Sequence, residues 1–260
     1  MHSEDMGQNE KEKLMEKEKV IEVRDLVKRF GSFTANDRLT FDVYRGEIFG
    51  FLGANGAGKT TAMRILCGLS RPTSGSVTVA GIDASRPEDI KKRIGYMSQR
   101  FSLYDDLTVN DNIELYGGIY GMTMKEIRPR REALLSRLSF TTYGDTLIRS
   151  IPLGLRQKLG FAVAVFHEPE IVFLDEPTSG VDPVTRRQFW EMIYETASRG
   201  ITVFVTTHYM DEAEYCDRIT IMNEGRIVAL DTPFALRAQF GAASVEELFV
   251  KIARPKKENS

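Results

Sequence analysis

Three short stretches carry residue types that can do chemistry together. GANGAGKT, residues 53–60, fits the pattern G-x-x-x-x-G-K-S/T. Its glycines let successive backbone N–H groups turn inward around phosphate oxygens at the start of a helix. Gly53, Ala54, Asn55, Gly56, Ala57 and Gly58 form the candidate cradle, with Thr61 closing it. Lys59 would reach the β and γ phosphates of a nucleotide, and the Thr60 hydroxyl would ligate Mg²⁺. IVFLDEP, residues 171–177, is an apolar run that ends in two carboxylates. Two charges at the C-terminal end of a buried strand seldom serve packing. Asp175 is suited to hold Mg²⁺ through water and Glu176 to polarise an attacking water. His208 comes directly after the run ITVFVTT; alone it would be read as structural, but beside the other two stretches it is a candidate for the γ-phosphate.

Such residues act together only if strands deliver them to one edge. EIFGFL at 47–52 precedes the glycine loop, and a helical pattern, TTAMRILCGL, comes after it. EIVFL at 170–174 and ITVFVTT at 201–207 read as buried parallel strands. The segment between them has Asp182 as an N-cap, Pro183 at the first helical position, a Phe189, Met192, Ile193, Ala197 face and Gly200 as the stop. Upstream, VIEVRDLVK and LTFDVY are strand-like, with Leu39, Phe41 and Val43 on one face. GSVTVAG at 75–81 and RIGYM at 93–97 are further strands, the second after a short helix at 87–92. RITIMNEGRIVAL at 218–230 reads as a hairpin around Asn223 to Gly225. A polar, helix-rich tract occupies about residues 100–166. The expected fold is α/β: a nucleotide-binding core with a mainly parallel sheet, an N-terminal antiparallel β region and an inserted helical subdomain.

The 260 residues, 42% hydrophobic and 28% charged, suffice for one large core or two small domains, with a net charge of -2. The absence of a strong basic field argues against nucleic acid as a partner. Cys67 and Cys216 match no metal spacing and are expected to be ordinary buried thiols, without a disulfide or a structural metal. Residues 1–19 form a charged leader of mixed sign, 20–252 the folded domain and 253–260 a charged tail. The longest apolar runs fall far short of the roughly 20 residues that cross a bilayer, so a membrane role is expected to come through a partner.

With its motifs in this order, residues 20–233 resemble the ATP-binding cassette subunits of ABC transporters: GANGAGKTT, Gln99 in YMSQR, LDEPTSGVD and His208 in TTH. The resemblance implies ATP and Mg²⁺ as cofactors. It implies that Phe30 in VKRFGS stacks on adenine, that Gln99 contacts Mg²⁺ and senses a permease, and that Asp182 communicates across a dimer. It also implies an integral membrane permease and a second cassette, the same chain or a paralogue, as partners. The chain would then sit on the cytoplasmic face of the membrane. SGVDP and the tract QRFSLYDDLTVNDNIELYGGIYG look most like drug and polysaccharide exporters whose permease is a separate chain. Phe101, Tyr104, Tyr116 and Tyr120 are candidates for a permease groove or for helical core.

The stretch SIPLGLRQKLG departs from the family pattern. Where the family has the signature LSGGQ, this chain reads IPLGL: Pro152 replaces serine, Leu153 a glycine and Leu155 glutamine, while Gly154 is kept. The stretch is still expected to start a helix, with Leu155, Leu159, Ala162, Val163 and Phe166 at core spacing and Pro152 in the first turn. The helix's positive end and the Gly154 amide would remain as a phosphate contact. Two other readings stay open: a soluble cassette acting on nucleic acid or the ribosome, and a regulatory cassette with weak ATPase activity. A GTPase would show an N-K-x-D segment, and none is present.

Overall fold

The computed structural model describes residues 18–99 and 103–253. Most of the expected charged leader, Phe101, and the charged tail beyond Ala253 lie outside these residues.

Among the described residues, ten strands form two sheets. β1 (Lys19–Phe30), β2 (Phe33–Tyr44), β4 (Ser74–Val79) and β5 (Ile82–Asp83) make an antiparallel sheet in the order β2-β1-β4-β5. The first strand begins at Lys19, so that residue belongs to the fold rather than to the leader. The second sheet has the order β10-β9-β3-β8-β7-β6, from β3 (Ile48–Gly53), β6 (Ile94–Met97), β7 (Ile171–Asp175), β8 (Thr202–Thr207), β9 (Arg218–Asn223) and β10 (Arg226–Asp231). All its neighbours run parallel except β9 and β10. That pair turns through Glu224 and Gly225, both at positive φ, the geometry a two-residue hairpin requires.

The parallel strands are apolar at nearly every position because both faces are covered. Phe49, Phe51, Phe173 and Phe204 point to one side, where they meet Phe41 of β2 and the helix α1 (Lys59–Leu66). Leu52, Val172, Leu174, Val203 and Val205 point to the other, against Phe189, Trp190 and Ile193 of a helix at Pro183–Ser198.

The expected face of that helix is partly shifted. Phe189 and Ile193 are buried, but Trp190 and Thr196 are buried as well, while Met192 and Ala197 are only half-buried. Trp190 is drawn in by Tyr215, whose ring lies 5.1 Å away.

After α2 (Pro87–Lys91) and β6, the chain forms α3 (Val109–Ile119), α4 (Met124–Arg137) and α5 (Leu153–Ala164) around a separate cluster. Thr108 and Thr123 start α3 and α4 with reciprocal capping boxes. Leu159, Ala162, Val163 and Phe166 are buried in this cluster and Leu155 packs against it, as the helical spacing predicts. The Pro183–Ser198 helix, α6, comes next, and α7 (Pro233–Phe240) and α8 (Val245–Ala253) close the described chain. No helix among the described residues is long and apolar enough to cross a membrane.

Candidate functional site

The parallel register brings the chemistry to one edge. Leu52 pairs with Thr207 and Asp175 with Thr206, so β3, β7 and β8 end together, and the segments after them leave the sheet from the same side. β3 leads into the glycine loop, β7 ends in Asp175 and Glu176, and β8 leads into His208.

The loop turns into α1 at Gly58, which has φ +99° and caps the helix in the left-handed region. A Cβ there would stand 2.4 Å from the Ala35 carbonyl oxygen and 2.7 Å from Asn36 Nδ2, so glycine is required by both conformation and space. Asn36 Nδ2 donates to the Gly58 carbonyl at 3.1 Å, and the Gly225 amide to the Ala57 carbonyl at 3.1 Å. The loop is thus braced by β2 and by the β9–β10 turn. The amides of Lys59, Thr60 and Thr61 open the helix and carry its positive end.

Phe33, Ala35, Asn55, Gly56, Gly58, Lys59, Thr60, Thr61, Gln99 and Glu176 line one cleft of about 520 Å³. Inside it, Lys59 Nζ donates to the carbonyls of Gly53 at 2.8 Å and Ala54 at 3.2 Å, and lies 3.7 Å from Glu176 Oε1. Burial lowers the lysine's pKa, against the pull of Glu176 and Asp175. Gln99 Nε2 donates to Glu176 Oε2 at 2.9 Å, and His208 Nδ1 stands 3.0 Å from the same oxygen, out of hydrogen-bond alignment. Glu176 itself sits at φ +48°, a costly conformation for a residue with a Cβ, held by its amide bonding to the carbonyl and hydroxyl of Thr206.

Asp175 is buried, and burial raises its pKa although it accepts from Thr206 Oγ1 at 2.7 Å and Thr60 Oγ1 at 3.4 Å. The hydroxyl of Thr60 beside a carboxylate, with the Gln99 amide in the same cleft, is a set of hard oxygen donors that fits Mg²⁺ shared with nucleotide phosphates.

Asp182 and Gly154 lie apart from the cleft lining and share Thr185 as a neighbour. Asp182 caps α6, accepting from the amides of Val184 and Thr185, both at 3.0 Å, and from Thr185 Oγ1 at 2.5 Å. These bonds, the Thr185 hydroxyl foremost, lower its pKa. Gly154, in the first turn of α5, faces the same threonine: a Cβ on it would approach Thr185 Cγ2 to 2.8 Å. Pro152 occupies the N-cap position of α5, and the helix begins at Leu153.

Phe30 and Phe33 pair across the β1–β2 turn, and both rings are exposed, with Lys28 Nζ 5.0 Å over the Phe30 ring. Phe33 lines the cleft and Phe30 does not. Phe33, Asn36 and Thr206 are additions that the sequence motifs do not single out; the paired threonines that end ITVFVTT are the available signal for the last.

A strand, a glycine loop and a helix that bury a lysine beside two carboxylates, on a parallel sheet with an added antiparallel sheet and a helical insert, define a phosphate-loop nucleotide-binding cassette. The chain belongs to the ABC transporter family, whose model matches residues 36–179. It is 46% identical over 223 residues to the Escherichia coli (strain K12) protein named "probable multidrug ABC transporter ATP-binding protein YbhF"; the match covers 85% of this chain and 39% of that protein. It is 35% identical over 229 residues to the Nod factor export ATP-binding protein I of Burkholderia lata, covering 87% of this chain and 75% of that one. A solved ATP-binding subunit of an ABC transporter superposes with a TM-score of 0.83 at 30% identity, covering 90% of this chain and 100% of that one.

Proposed function

We propose that the chain is the ATP-binding and ATP-hydrolysing subunit of an exporter, working through a separate membrane permease. The observation that carries this reading is the convergence of Lys59, Gln99, Glu176 and His208 within a few ångströms at the edge of the sheet. The relatives support it, being named for multidrug and Nod factor export.

In this reading Lys59 leaves the Gly53 and Ala54 carbonyls to meet the β and γ phosphates, while the opening amides of α1 hold the phosphate oxygens. Thr60, Asp175 and Gln99 would hold Mg²⁺, which supplies charge neutralisation at the phosphates. Glu176 accepts the proton of the attacking water, and His208, 3.0 Å from its carboxylate, orients that group and contacts the γ-phosphate. Phe30 and Phe33 offer the aromatic edge on which the base stacks. A second cassette, a copy or a paralogue, would bring its own Gly154 and Asp182 regions to the phosphate from outside.

The permease reading draws on a groove of about 530 Å³ between α1, α2, β6 and the end of α3, lined by Leu69, Ile94, Tyr96, Ile119 and Tyr120 among others. Ile119 is 61% exposed there. Of the aromatic candidates, Tyr120 lines this groove, whereas Tyr116 packs on the helical cluster and Tyr104 is exposed beside it.

Co-purification with membrane proteins, followed by ATPase assay of the complex and of the chain alone, tests the proposal. Turnover should rise in the complex. A chain that hydrolyses ATP equally well alone and retains no membrane protein would leave the cassette without its transporter role.

A further inference from the structure

Past the last ladder pair, Asp175 with Thr206, the strands β7 and β8 diverge into the segments that carry Glu176 and His208. A buried side chain, that of Glu212, bridges them. Glu212 lies in the short 3-10 segment Met210–Tyr215 and has no solvent exposure. Its Oε1 accepts from Thr178 Oγ1 at 2.5 Å and its Oε2 from Thr207 Oγ1 at 2.7 Å. Thr178 is two residues past Glu176, and Thr207 directly precedes His208.

Arg186 reaches the same place from α6. Its Nε, buried and without a hydrogen-bond partner, is 3.7 Å from Glu212 Oε1, and its guanidinium lies 4.4 Å from the centroid of the Tyr209 ring. Tyr209 in turn packs on the His208 ring, centroids 4.2 Å apart. Arg186 stands one turn along α6 from Asp182, and its amide donates to the Asp182 carbonyl at 3.0 Å.

A buried carboxylate is a poor way to gain stability, because an apolar side chain of similar volume avoids its desolvation cost. Its value here is geometric: two hydroxyls that approach it from different segments fix those segments to each other. The guanidinium balances the charge and adds a stacking contact that a lysine cannot reproduce.

We propose that Glu212, Arg186 and Tyr209 are positioning residues that hold His208 in place beside Glu176 and tie that place to the start of α6, where Asp182 and Gly154 meet. The chain of contacts His208, Tyr209, Arg186 then links the γ-phosphate side of one nucleotide site to the helix end proposed to face the second cassette. The proposal rests on the hydrolytic role assigned to His208.

A double-mutant cycle separates this role from plain structural support. ATP affinity and single-turnover hydrolysis are measured for wild type, His208→Ala, Arg186→Met, Arg186→Lys, Glu212→Gln and the His208→Ala/Arg186→Met pair, each with a thermal melt. Arg186 is half-exposed, so its replacement keeps the test open if Glu212→Gln does not fold. Arg186→Met should slow hydrolysis about tenfold with ATP affinity unchanged within about twofold, and should cost less than about twofold in the His208→Ala background. Arg186→Lys should recover only part of the rate, because it keeps the charge without the guanidinium's contact over the Tyr209 ring. If His208→Ala is slow but Arg186→Met turns over normally, or if its loss recurs in full on top of His208→Ala, the positioning role is overturned. If His208→Ala itself is as fast as wild type, the reading of His208 fails first.

Discussion

Lys59 Nζ lies 3.7 Å from Glu176 Oε1, so the cation expected to bind phosphate and the carboxylate expected to activate water face each other directly. Lys59→Ala removes the point charge and leaves the backbone cradle. Charge-assisted hydrogen bonds of this kind contribute about 1.5–3 kcal/mol, so ATP should bind roughly ten- to a hundredfold more weakly. Titration of a fluorescent ATP analogue against both proteins decides it, and equal affinity would remove Lys59 from the site.

Glu176→Gln should keep ATP affinity and nearly abolish hydrolysis, because the amide has the same shape but does not accept the water's proton. An ATP-bound dimer should then persist on size exclusion with ATP and disappear without it. An active variant would move the proton acceptor elsewhere, with His208 the first candidate.

Pro152 caps α5; the resemblance places it where the family signature has a serine, and its ring offers no hydroxyl to a phosphate held by an opposing cassette. Pro152→Ser together with Leu153→Gly should tighten ATP-driven dimerisation, by up to the roughly 1.5–3 kcal/mol of one charge-assisted bond. The second change restores the glycine that the resemblance to the family places beside the serine. Analytical ultracentrifugation of both proteins with ATP is the measurement; unchanged association and turnover would leave this stretch as a plain helix start.

His167 carries a pH dependence of its own. Its ring stacks on Tyr120 with centroids 3.4 Å apart, and burial pushes its pKa from 6.5 down to about 4. Between those values the unfolded chain binds the extra proton and the folded chain does not, so stability is complete above about pH 6.5 and is lost as pH falls towards 4. Allowing for the solvent that reaches the ring, the loss is on the order of 2 kcal/mol. Urea unfolding across this range should show it, and His167→Gln should flatten the acid limb. A slope that survives the substitution would assign it to other groups.

The parts of the site legible in the sequence are those whose position is set by a strand end. Lys59, Asp175, Glu176 and His208 each lie within a few residues of an apolar run, and the parallel sheet does the rest. Asp182 is legible for a different reason: an N-cap next to proline is a local signal, and the capping bonds are its direct result. Glu212 is not legible. In the string MDEAEY it looks like one more solvated carboxylate, and its partners Thr178, 34 residues away, and Arg186 come from other segments that the string does not contain. Phe33 escapes notice because the hairpin that sets it opposite Phe30 extends beyond the alternating pattern of LTFDVY. The burial of Trp190 depends on Tyr215, a contact between elements that no helical period contains.

The glycine loop is braced on two sides and already filled by its own lysine. With the amine engaged by the Gly53 and Ala54 carbonyls and 3.7 Å from Glu176, the lysine's charge is largely answered from within the protein. A visiting anion must displace three internal acceptors before it gains the lysine. A monovalent anion without oxygens, such as chloride, has little to offer against them, whereas a triphosphate brings several charges and many oxygens to the exchange. An anion held by Lys59 must therefore compete with acceptors of the protein's own, and the loop favours the anion that brings the most charge.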